Sequence, residues 1–445
     1  MNINTYFNKK VDYDILMQCQ KVVDSKTGIV SDCIEMMNEA FDPRLYFYTT
    51  LMADTSKYEG HLKCHENNGG AALTRELAML AAIGESVERY CSSIYDYGDF
   101  LYGTYNKLNV NAVHPSQWAL FSKEQYQKRN FKFAEFTEDS SVNWVKGYSL
   151  TEKCDKYVPA TFVHLPYICE PHERIISPCV STGLAAGTNI YDAILSGIYE
   201  AVERDAISIM WLKKLSLPVI DDIRDGCFLD KVYKKYFSMD RSRYALIDIT
   251  TDIGIPVVFS IKYFKSEKGI SCSCGAACRL NSEDAALKGM IEAAQGAKWI
   301  QYLHVQDWMW GYNDDFSDIT DFQDHIHLYS LPEMVKGLDF VSSSECKKSI
   351  GTMPNLSTGN SKEDVNKCVD MLKELGLEVI VVDVTTDDIK ETPYNVVKVL
   401  IPGLQQLNGD HNFPFLGGER LNSVPLKMGY SVDENVYNDL PHPFP

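Results

Sequence analysis

One pattern restricts the fold of this chain more than any other, and it occurs twice: glycines, then a helical stretch carrying Glu-x-x-Glu-Arg. The first copy runs from Asn67-Asn-Gly-Gly70 through Ala71 to Tyr95 and holds Glu85, Glu88 and Arg89. The second runs from Ser181-Thr-Gly-Leu-Ala-Ala-Gly187 to Asp205 and holds Asp192, Glu200, Glu203 and Arg204. In the second copy Tyr191, Ile194, Leu195, Ile198, Val202, Ala206 and Ile209 recur at helical spacing, so one apolar stripe faces a core. At about 100° per residue, Asp192, Glu200 and Glu203 fall within roughly 80° of one another on the side away from that stripe. Asn189 is placed to cap the helix, with Asp192 in the reciprocal capping position three residues on. In the first copy Leu77, Leu80, Ile83, Val87, Cys91 and Ile94 form the stripe. Glu85 and Glu88 lie about 60° apart and roughly opposite it. Their face is completed by Ala78, Ala81, Ala82 and Ser92, small residues that pack more readily than a lysine-rich surface. The plain alternative is a solvated face with i,i+4 pairs, Glu85–Arg89 and Glu200–Arg204. Two such copies are read here as two walls of one acidic site. Carboxylates in that number suit Mg²⁺, which takes oxygen ligands and often bridges protein carboxylates to nucleotide phosphates.

A length of 445 residues accommodates two or three average domains or one large enzyme domain with insertions. Hydrophobic residues at 45% and charged residues at 23% are ordinary for a globular chain with a sizeable core. A net charge of −18 argues against a general nucleic-acid binder, and it means that any bound nucleotide needs cations to offset the protein's own field. Thirteen scattered cysteines, a polar amino-terminal stretch and no apolar run long enough to span a bilayer point to a reducing, cytoplasmic setting with free thiols.

Residues 1 to about 60 carry no recognisable chemistry. Residues 96–180 are rich in tyrosine and phenylalanine, with short β-like runs such as Tyr157 to His164. Tyr244 to Ile249 and Pro256 to Lys262 are the clearest strands. Cys272-Ser-Cys-Gly-Ala-Ala-Cys278 invites a zinc reading, but its spacing is not a familiar ligand pair and strand alternation explains it equally well. Asn281-Ser-Glu-Asp opens a third helix, with Leu287, Met290, Ile291 and Ala294 facing inward and Glu292 and Gln295 together on the other side. Residues 305–360 read as an irregular, polar surface segment. Glu363 to Leu377 is an amphipathic helix, followed by a strand through Glu378-Val-Ile-Val-Val-Asp-Val384. The chain ends Pro441-His-Pro-Phe-Pro445, whose alternating prolines favour a stiff, extended terminus. Neither a P-loop nor a Rossmann fingerprint is present.

Gly84-Glu-Ser-Val-Glu-Arg-Tyr90, Ser181 to Gly187, Tyr199-Glu-Ala-Val-Glu-Arg-Asp-Ala206, Glu292-Ala-Ala-Gln295, Ile401-Pro-Gly-Leu404 and the proline terminus together resemble the YcaO family. The likeness is to its standalone, SagD-type cyclodehydratases of azole-forming peptide biosynthesis, and it covers roughly residue 60 to the end. It implies a mixed α/β (α+β) fold, a YcaO-type ATP-binding architecture with β-sheets flanked by helices. An amino-terminal segment (1–60) would pack on a main domain (61–405), followed by a tail (406–445). It implies ATP and Mg²⁺ as cofactors, with Glu85, Glu88, Glu200 and Glu203 as magnesium ligands. Asp192 would join them where the family usually has Glu. Ser181, Thr188, Asn189, Arg204, Glu292 and Gln295 would face the nucleotide, although Thr188 stands where Asn is common. Asn-Gly-Gly-Ala replaces the family's frequent Gly-Lys-Gly upstream; Lys63 is the nearest lysine to serve instead.

The implied reaction is ATP-dependent cyclodehydration of Cys, Ser or Thr in a ribosomally made precursor peptide to thiazolines or oxazolines. Phosphorylation makes the departing amide oxygen a good leaving group. Pro441, Pro443 and Pro445 would form an arm carrying the terminal carboxylate to the site as a base. His442 is a weaker candidate for that role, since no group is visible to orient its ring. The implied partners are the precursor peptide, an E1-like leader-binding protein and an FMN-dependent azoline dehydrogenase; a homodimer is compatible. Thioamide or amidine formation, or a non-catalytic scaffold, are the alternatives.

Overall fold

The computed structural model describes residues 12–57, 67–223 and 226–444. Strands β1 (Val30–Met36), β2 (Tyr46–Met52) and β3 (Asn67–Ala72) form an antiparallel sheet in that order. The register Tyr48↔Gly70 and Thr49↔Gly69 joins the amino-terminal segment to the first glycine pair. A division at residue 60 therefore falls inside a single sheet. Helix α1 (Arg75–Ser93) follows, capped by Thr74, whose hydroxyl accepts from the Leu77 N–H. It lies on β2 and β3 through its alanine face.

Strands β4 (Leu101–Gly103), β5 (Val142–Ser149), β6 (Cys154–Pro159) and β7 (Leu184–Gly187) open a second sheet. Helix α2 (Ile190–Leu212) comes next, then β8 (Val219–Asp222), β9 (Arg243–Asp248), β10 (Val257–Ser266) and β11 (Gly269–Cys278). The last two pair over their full length, from Val257↔Cys278 to Ser266↔Gly269, across a two-residue turn that Gly269 closes with φ +133°. Helices α3 (Ser282–Gln306) and α4 (Phe322–Tyr329) and strand β12 (Lys347–Ser349) precede helix α5 (Ser361–Glu374). Strand β12 completes the five-stranded order β11-β10-β9-β8-β12, with β12 parallel to β8. Strands β13 (Ile380–Asp383) and β14 (Asn395–Leu400) then return to the second sheet, giving β4-β5-β13-β14-β7 with β6 also on β5. Helix α6 (Arg420–Lys427) leads into the terminal segment.

Helix α2 is the centre of this arrangement. It packs against β7 and β14 of one sheet and β10 and β11 of another, with α5 and α6 alongside. That explains its composition: from Gly197 onward nearly every residue is buried, including Ala, Ile, Met and Trp on all sides. The expected stripe Ile194, Ile198, Val202, Ala206 and Ile209 is buried, whereas Tyr191 in the first turn is exposed. The β10–β11 hairpin is covered on its other face by α3, so β11 is buried on both faces. Cys272, Cys274 and Cys278 are strand residues whose side chains join the central apolar cluster. Burial pushes all three thiols up, away from the thiolate a metal needs.

The segment 305–360 is not irregular throughout. Asp321 and Asp324 form a reciprocal capping box that starts α4, and His325, His327, Leu328 and Tyr329 are buried beneath it. Among the described residues, no helix is long and apolar enough to cross a membrane.

Candidate functional site

The two Glu-x-x-Glu-Arg helices meet through backbone N–H groups of the strands beside them. Glu85 accepts from the Gly69 N–H of β3 at 3.0 Å, and Glu88 accepts from the Ala186 N–H of β7 at 2.8 Å. On α2, Glu200 accepts from the Gly183 N–H at 3.3 Å and Glu203 from the Cys278 N–H at 3.2 Å. Each carboxylate thus crosses from its helix to neighbouring backbone: Glu85 to β3, Glu88 to β7, Glu200 to the residue just before β7, and Glu203 to the end of β11. Together they bring β3, α1, β7, α2 and β11 to one place.

Glycines make the approach possible. A Cβ on Gly70 would lie 2.3 Å from the Ala78 carbonyl and 2.4 Å from the Ala82 nitrogen, so β3 runs directly on the backbone of α1. A Cβ on Gly69 would lie 2.6 Å from Gln295 Nε2, which places the α3 amide beside the strand that Glu85 holds. Gly70→Ala is therefore expected to cost about 1–3 kcal/mol, because backbone must shift. Gly69→Ala meets only a mobile amide, so its melting temperature should stay near wild type while Gln295 is displaced. Paired thermal melts of the two variants test this.

The site is crowded with acids. Burial, chiefly, and the neighbouring Glu85 and Glu200 push the Glu88 carboxyl up to about 8, against the pull of Arg89 and of the Ala186 N–H. Glu203, only 7% exposed, is likewise pushed up to about 8 by burial and then by Glu292, with Glu200 adding to it. Opposing charge comes from Arg89 at 3.4 Å from Glu85 and Arg204 at 3.6 Å from Glu200.

A third cation was not foreseen. Lys398, in the middle of β14, is fully buried and donates to the Val180 carbonyl at 2.6 Å. Burial pulls its ammonium down to about 8, while Glu200 and Glu88 hold it up. One letter could have found it: the lone lysine within Val396-Val-Lys-Val-Leu-Ile401.

Other expected residues are placed less centrally. Asn189 caps α2, accepting from the Tyr191 and Asp192 N–H groups at 3.0 Å each. Asp192 is held by the Asn189 amide and the Ser361 hydroxyl of α5. It sits eight residues before Glu200, roughly 12 Å along the axis, so the structure does not gather it with the four glutamates. Glu292 is paired with Lys288 at 3.2 Å and faces Glu203. Ser181 and Thr188 lie, partly exposed, at the two ends of the loop and strand before α2. Lys63 and Pro445 lie outside the described residues.

The terminal segment runs through the interior. Trp211 Nε1–H donates to the Leu440 carbonyl at 2.9 Å and the Tyr329 hydroxyl to the Pro441 carbonyl at 2.8 Å. The His325 ring stacks on His442 at 3.8 Å, with its Nδ1 2.7 Å from the His442 carbonyl. Pro443 is buried, and the Phe444 ring lies 4.5 Å from the Arg204 guanidinium. The tail therefore reaches the residue that follows Glu203. His442 does have an orienting group, contrary to expectation: its Nε2 lies 2.6 Å from the Asn408 carbonyl. Burial and the adjoining His325 push its imidazole well below its usual range, which makes it a feeble base.

One turn beyond Glu88 on α1, the Ser92 carbonyl lies 3.2 Å from Nδ1 of His164, a ring 7% exposed. Burial pulls His164 down to about 4, and Lys398 adds to it. The unfolded ring titrates near 6.5, so between pH 6.5 and 4 the unfolded chain binds the extra proton. His164 thus contributes stability that is complete above pH 6.5 and lost as pH falls through about 4, on the order of 3 kcal/mol in all. Urea midpoints of wild type and His164→Phe between pH 4 and 7 should converge toward the acid end; parallel curves would refute the assignment.

No three His, Cys, Asp or Glu side chains among the described residues converge on a single point. The donor set nonetheless fits Mg²⁺ bound together with a nucleotide, an ion that usually takes one or two carboxylates plus phosphates and water. Closely placed acids, two of them held as neutral carboxyls by burial, gain from a divalent countercharge.

The family model described as "YcaO cyclodehydratase, ATP-ad Mg2+-binding" matches residues 69–405. That is well over half of the chain, and the protein belongs to the YcaO family. ATP and Mg²⁺ are accordingly the cofactors of this fold. Among solved structures the chain resembles a heterocyclase in complex with substrate and cofactor, with a TM-score of 0.77 and 24% identity over 97% of this chain and 57% of that one. It also resembles YcaO from Methanopyrus kandleri bound with AMPPCP and Mg²⁺, at TM-score 0.63, 19% identity and coverage of 89% and 92%. A third likeness is to the E. coli microcin synthetase McbBCD complex with pro-MccB17 bound, at TM-score 0.59, 16% identity and coverage of 93% and 96%. At these identities the likeness is one of fold, and the chain spans little more than half the length of the first heterocyclase.

Proposed function

We propose that this protein is an ATP-dependent peptide cyclodehydratase. It would convert Cys, Ser or Thr residues of a ribosomally made precursor to thiazolines or oxazolines, as a subunit of a maturation complex. The observation that carries this reading is the meeting of the ordered tail with the acidic walls at Arg204. The guanidinium lies between Glu200 and the Phe444 ring, so whatever the carboxylates hold is adjacent to the end of the chain.

In this reading Glu85, Glu88, Glu200 and Glu203 hold Mg²⁺. Asp192, two turns away and held by Asn189 and Ser361, stays outside that set. Ser181, Thr188, Asn189, Glu292, Gln295 and Arg204 line the nucleotide. MgATP supplies the phosphoryl group that turns the departing amide oxygen into a leaving group. The chain's own part is positioning and charge. Arg89, Arg204 and Lys398 neutralise the carboxylates before any ligand enters. Tyr329, Trp211 and Asn408 fix the described part of the tail, so that Pro441 and Pro443 hold it beside Arg204 as a positioning arm. The buried, proton-poor His442 serves as a strut. The likeness to a synthetase complex with its pro-peptide bound supports action within a complex on a precursor; the partners proposed are an E1-like leader-binding protein and an FMN-dependent dehydrogenase that acts on the azolines afterwards.

The test is to combine the protein, a candidate precursor, an E1-like partner and MgATP, and to record peptide mass and ADP together. Loss of one water per ring, matched by ADP formed, is the expected result. ADP release with unchanged peptide mass would remove the cyclodehydratase reading, and gain of sulfur would replace it by thioamide formation.

A further inference from the structure

The residues just past the carboxyl end of α1 line a surface pocket that the proposed chemistry leaves unused. Its volume is about 450 Å³. Its floor is aromatic: the Tyr95 ring lies 4.7 Å from the His164 ring and 5.8 Å from Phe100, and Phe100 lies 5.5 Å from His164. Its rim carries Asp96, Asp99, Asp383 and Asp387, all exposed. Asp387 is committed to Lys390 at 2.8 Å. Asp96 and Asp383 each use one oxygen on local turns, at the Gly98 N–H and at Thr385. The rim therefore keeps uncompensated negative charge around an aromatic floor. His164 supplies a further unsatisfied group in the lining. With Nδ1 facing the Ser92 carbonyl, its buried Nε2 has no partner among the described residues and is left as an acceptor.

Carboxylates around π faces, with a neutral imidazole acceptor, form the environment of a cationic hydrogen-bond donor. Phosphate and other anions are excluded by the rim. A metal ion is disfavoured, because no three of these acids converge. A planar guanidinium satisfies all the features at once: it stacks on aromatic faces and presents five donors to carboxylates. The location adds meaning. Ser92 lies four residues after Glu88 and so on the same face of α1, about one turn or 6 Å further along. The pocket thus adjoins the acidic site through the His164 wall.

We propose that this pocket binds an arginine side chain of the peptide substrate and thereby sets which residue of that peptide reaches the acidic site. The proposal rests on the peptide-modifying reading above. From the pocket, a chain extended at about 3.3 Å per residue covers the distance to Glu88 in a few residues. Specificity would then appear as a preference for a basic residue a short, fixed number of positions from the one modified.

The experiment uses the full-length protein and a fluorescein-labelled peptide, Gly-Ser-Arg-Gly-Gly-Cys-Gly, against the same peptide with citrulline, which keeps the shape and loses the charge. Anisotropy titrations should show the arginine peptide binding about tenfold more tightly at low salt, with the gap closing as salt rises. Asp99→Asn combined with Asp383→Asn should bring the arginine peptide down to the citrulline value. The same pair should leave the affinity for MgATP unchanged. Glu203→Gln serves as the separate control on the acidic site: loss of MgATP turnover with arginine-peptide binding retained keeps the pocket assignment even if no ring chemistry is found. Equal binding of the two peptides would overturn the proposal, as would a double variant that binds the arginine peptide as wild type does. A double variant with weakened MgATP binding would overturn it too, by giving the pocket to the nucleotide.

Discussion

Glu203→Gln loses ATP turnover by about 10³-fold while the protein stays folded at neutral pH; that is the expected result of the most direct test of the acidic site. The reasoning starts from the charge state. Burial, Glu292 and Glu200 keep the Glu203 carboxyl protonated up to about pH 8 in the free protein. A neutral amide of the same shape is therefore a close mimic of the resting side chain. Its oxygen can still accept from the Cys278 N–H, as Glu203 does at 3.2 Å. What the amide cannot do is ionise when a cation arrives. The stability comparison carries a sign of its own. Between about pH 4.5 and 8 the folded wild type holds a proton that its unfolded chain has shed, so wild-type stability falls as pH rises through that window. The variant is exempt and should gain relative stability there. Full ATP turnover in Glu203→Gln would remove the magnesium assignment. Unfolding at pH 7 would refute the protonated state.

The second large effect is expected at Arg420→Met, a loss of about 3–5 kcal/mol. Asp205, the residue after Arg204, is completely buried at the back of α2 and takes two charge-assisted bonds from Arg420, at 2.8 Å and 2.7 Å. Removing the guanidinium strands that carboxylate in the interior with, among the described residues, the Gln405 N–H at 2.8 Å as its remaining partner. Asp252, the other partner of Arg420 at 2.7 Å, is less affected because Lys427 also reaches it at 3.0 Å. The double variant Asp205→Leu with Arg420→Met should recover most of the loss, since an apolar pair leaves no orphaned charge. Urea midpoints of the single and double variants decide the matter. A single variant within about 1 kcal/mol of wild type would show that water reaches Asp205.

The residues that carried the acidic site in the sequence were those whose spacing encodes a helix face. Glu85 and Glu88, and Glu200 and Glu203, are legible because a helix converts position in the chain into direction, and Asn189 marks where α2 begins, as Asn281 does for α3. Even so, spacing alone left a solvated surface as the alternative reading for the glutamate face of α2, where Glu203 is in fact interior. Periodicity says which residues share a side and is silent on whether a second sheet lies beyond it. The partners of the four glutamates were invisible for a different reason: they are main-chain N–H groups of Gly69, Gly183, Ala186 and Cys278, which no letter of the sequence distinguishes. Asp192 shared the face in projection, but two turns of helical rise separate it from Glu200, and projection discards rise. The segment around His325 and Tyr329 reads as surface because its residues are polar. They are buried because the terminal segment supplies acceptors for them. Lys398 belongs with these, a charge made tolerable by neighbours that come from two distant helices.

The position of α2 between two sheets bears on how such an enzyme can diverge. The stretch that carries Glu200 and Glu203 also carries much of the central apolar packing, so most changes there will be eliminated for misfolding before any change in chemistry is exposed to selection. Heritable variation in ligand preference is then channelled to places where a substitution meets little resistance: the partly exposed Ser181 and Thr188 on either side of β7, and the aspartate-rimmed turns around Asp99 and Asp387. Descendants of this fold should keep the beam and diversify the margins.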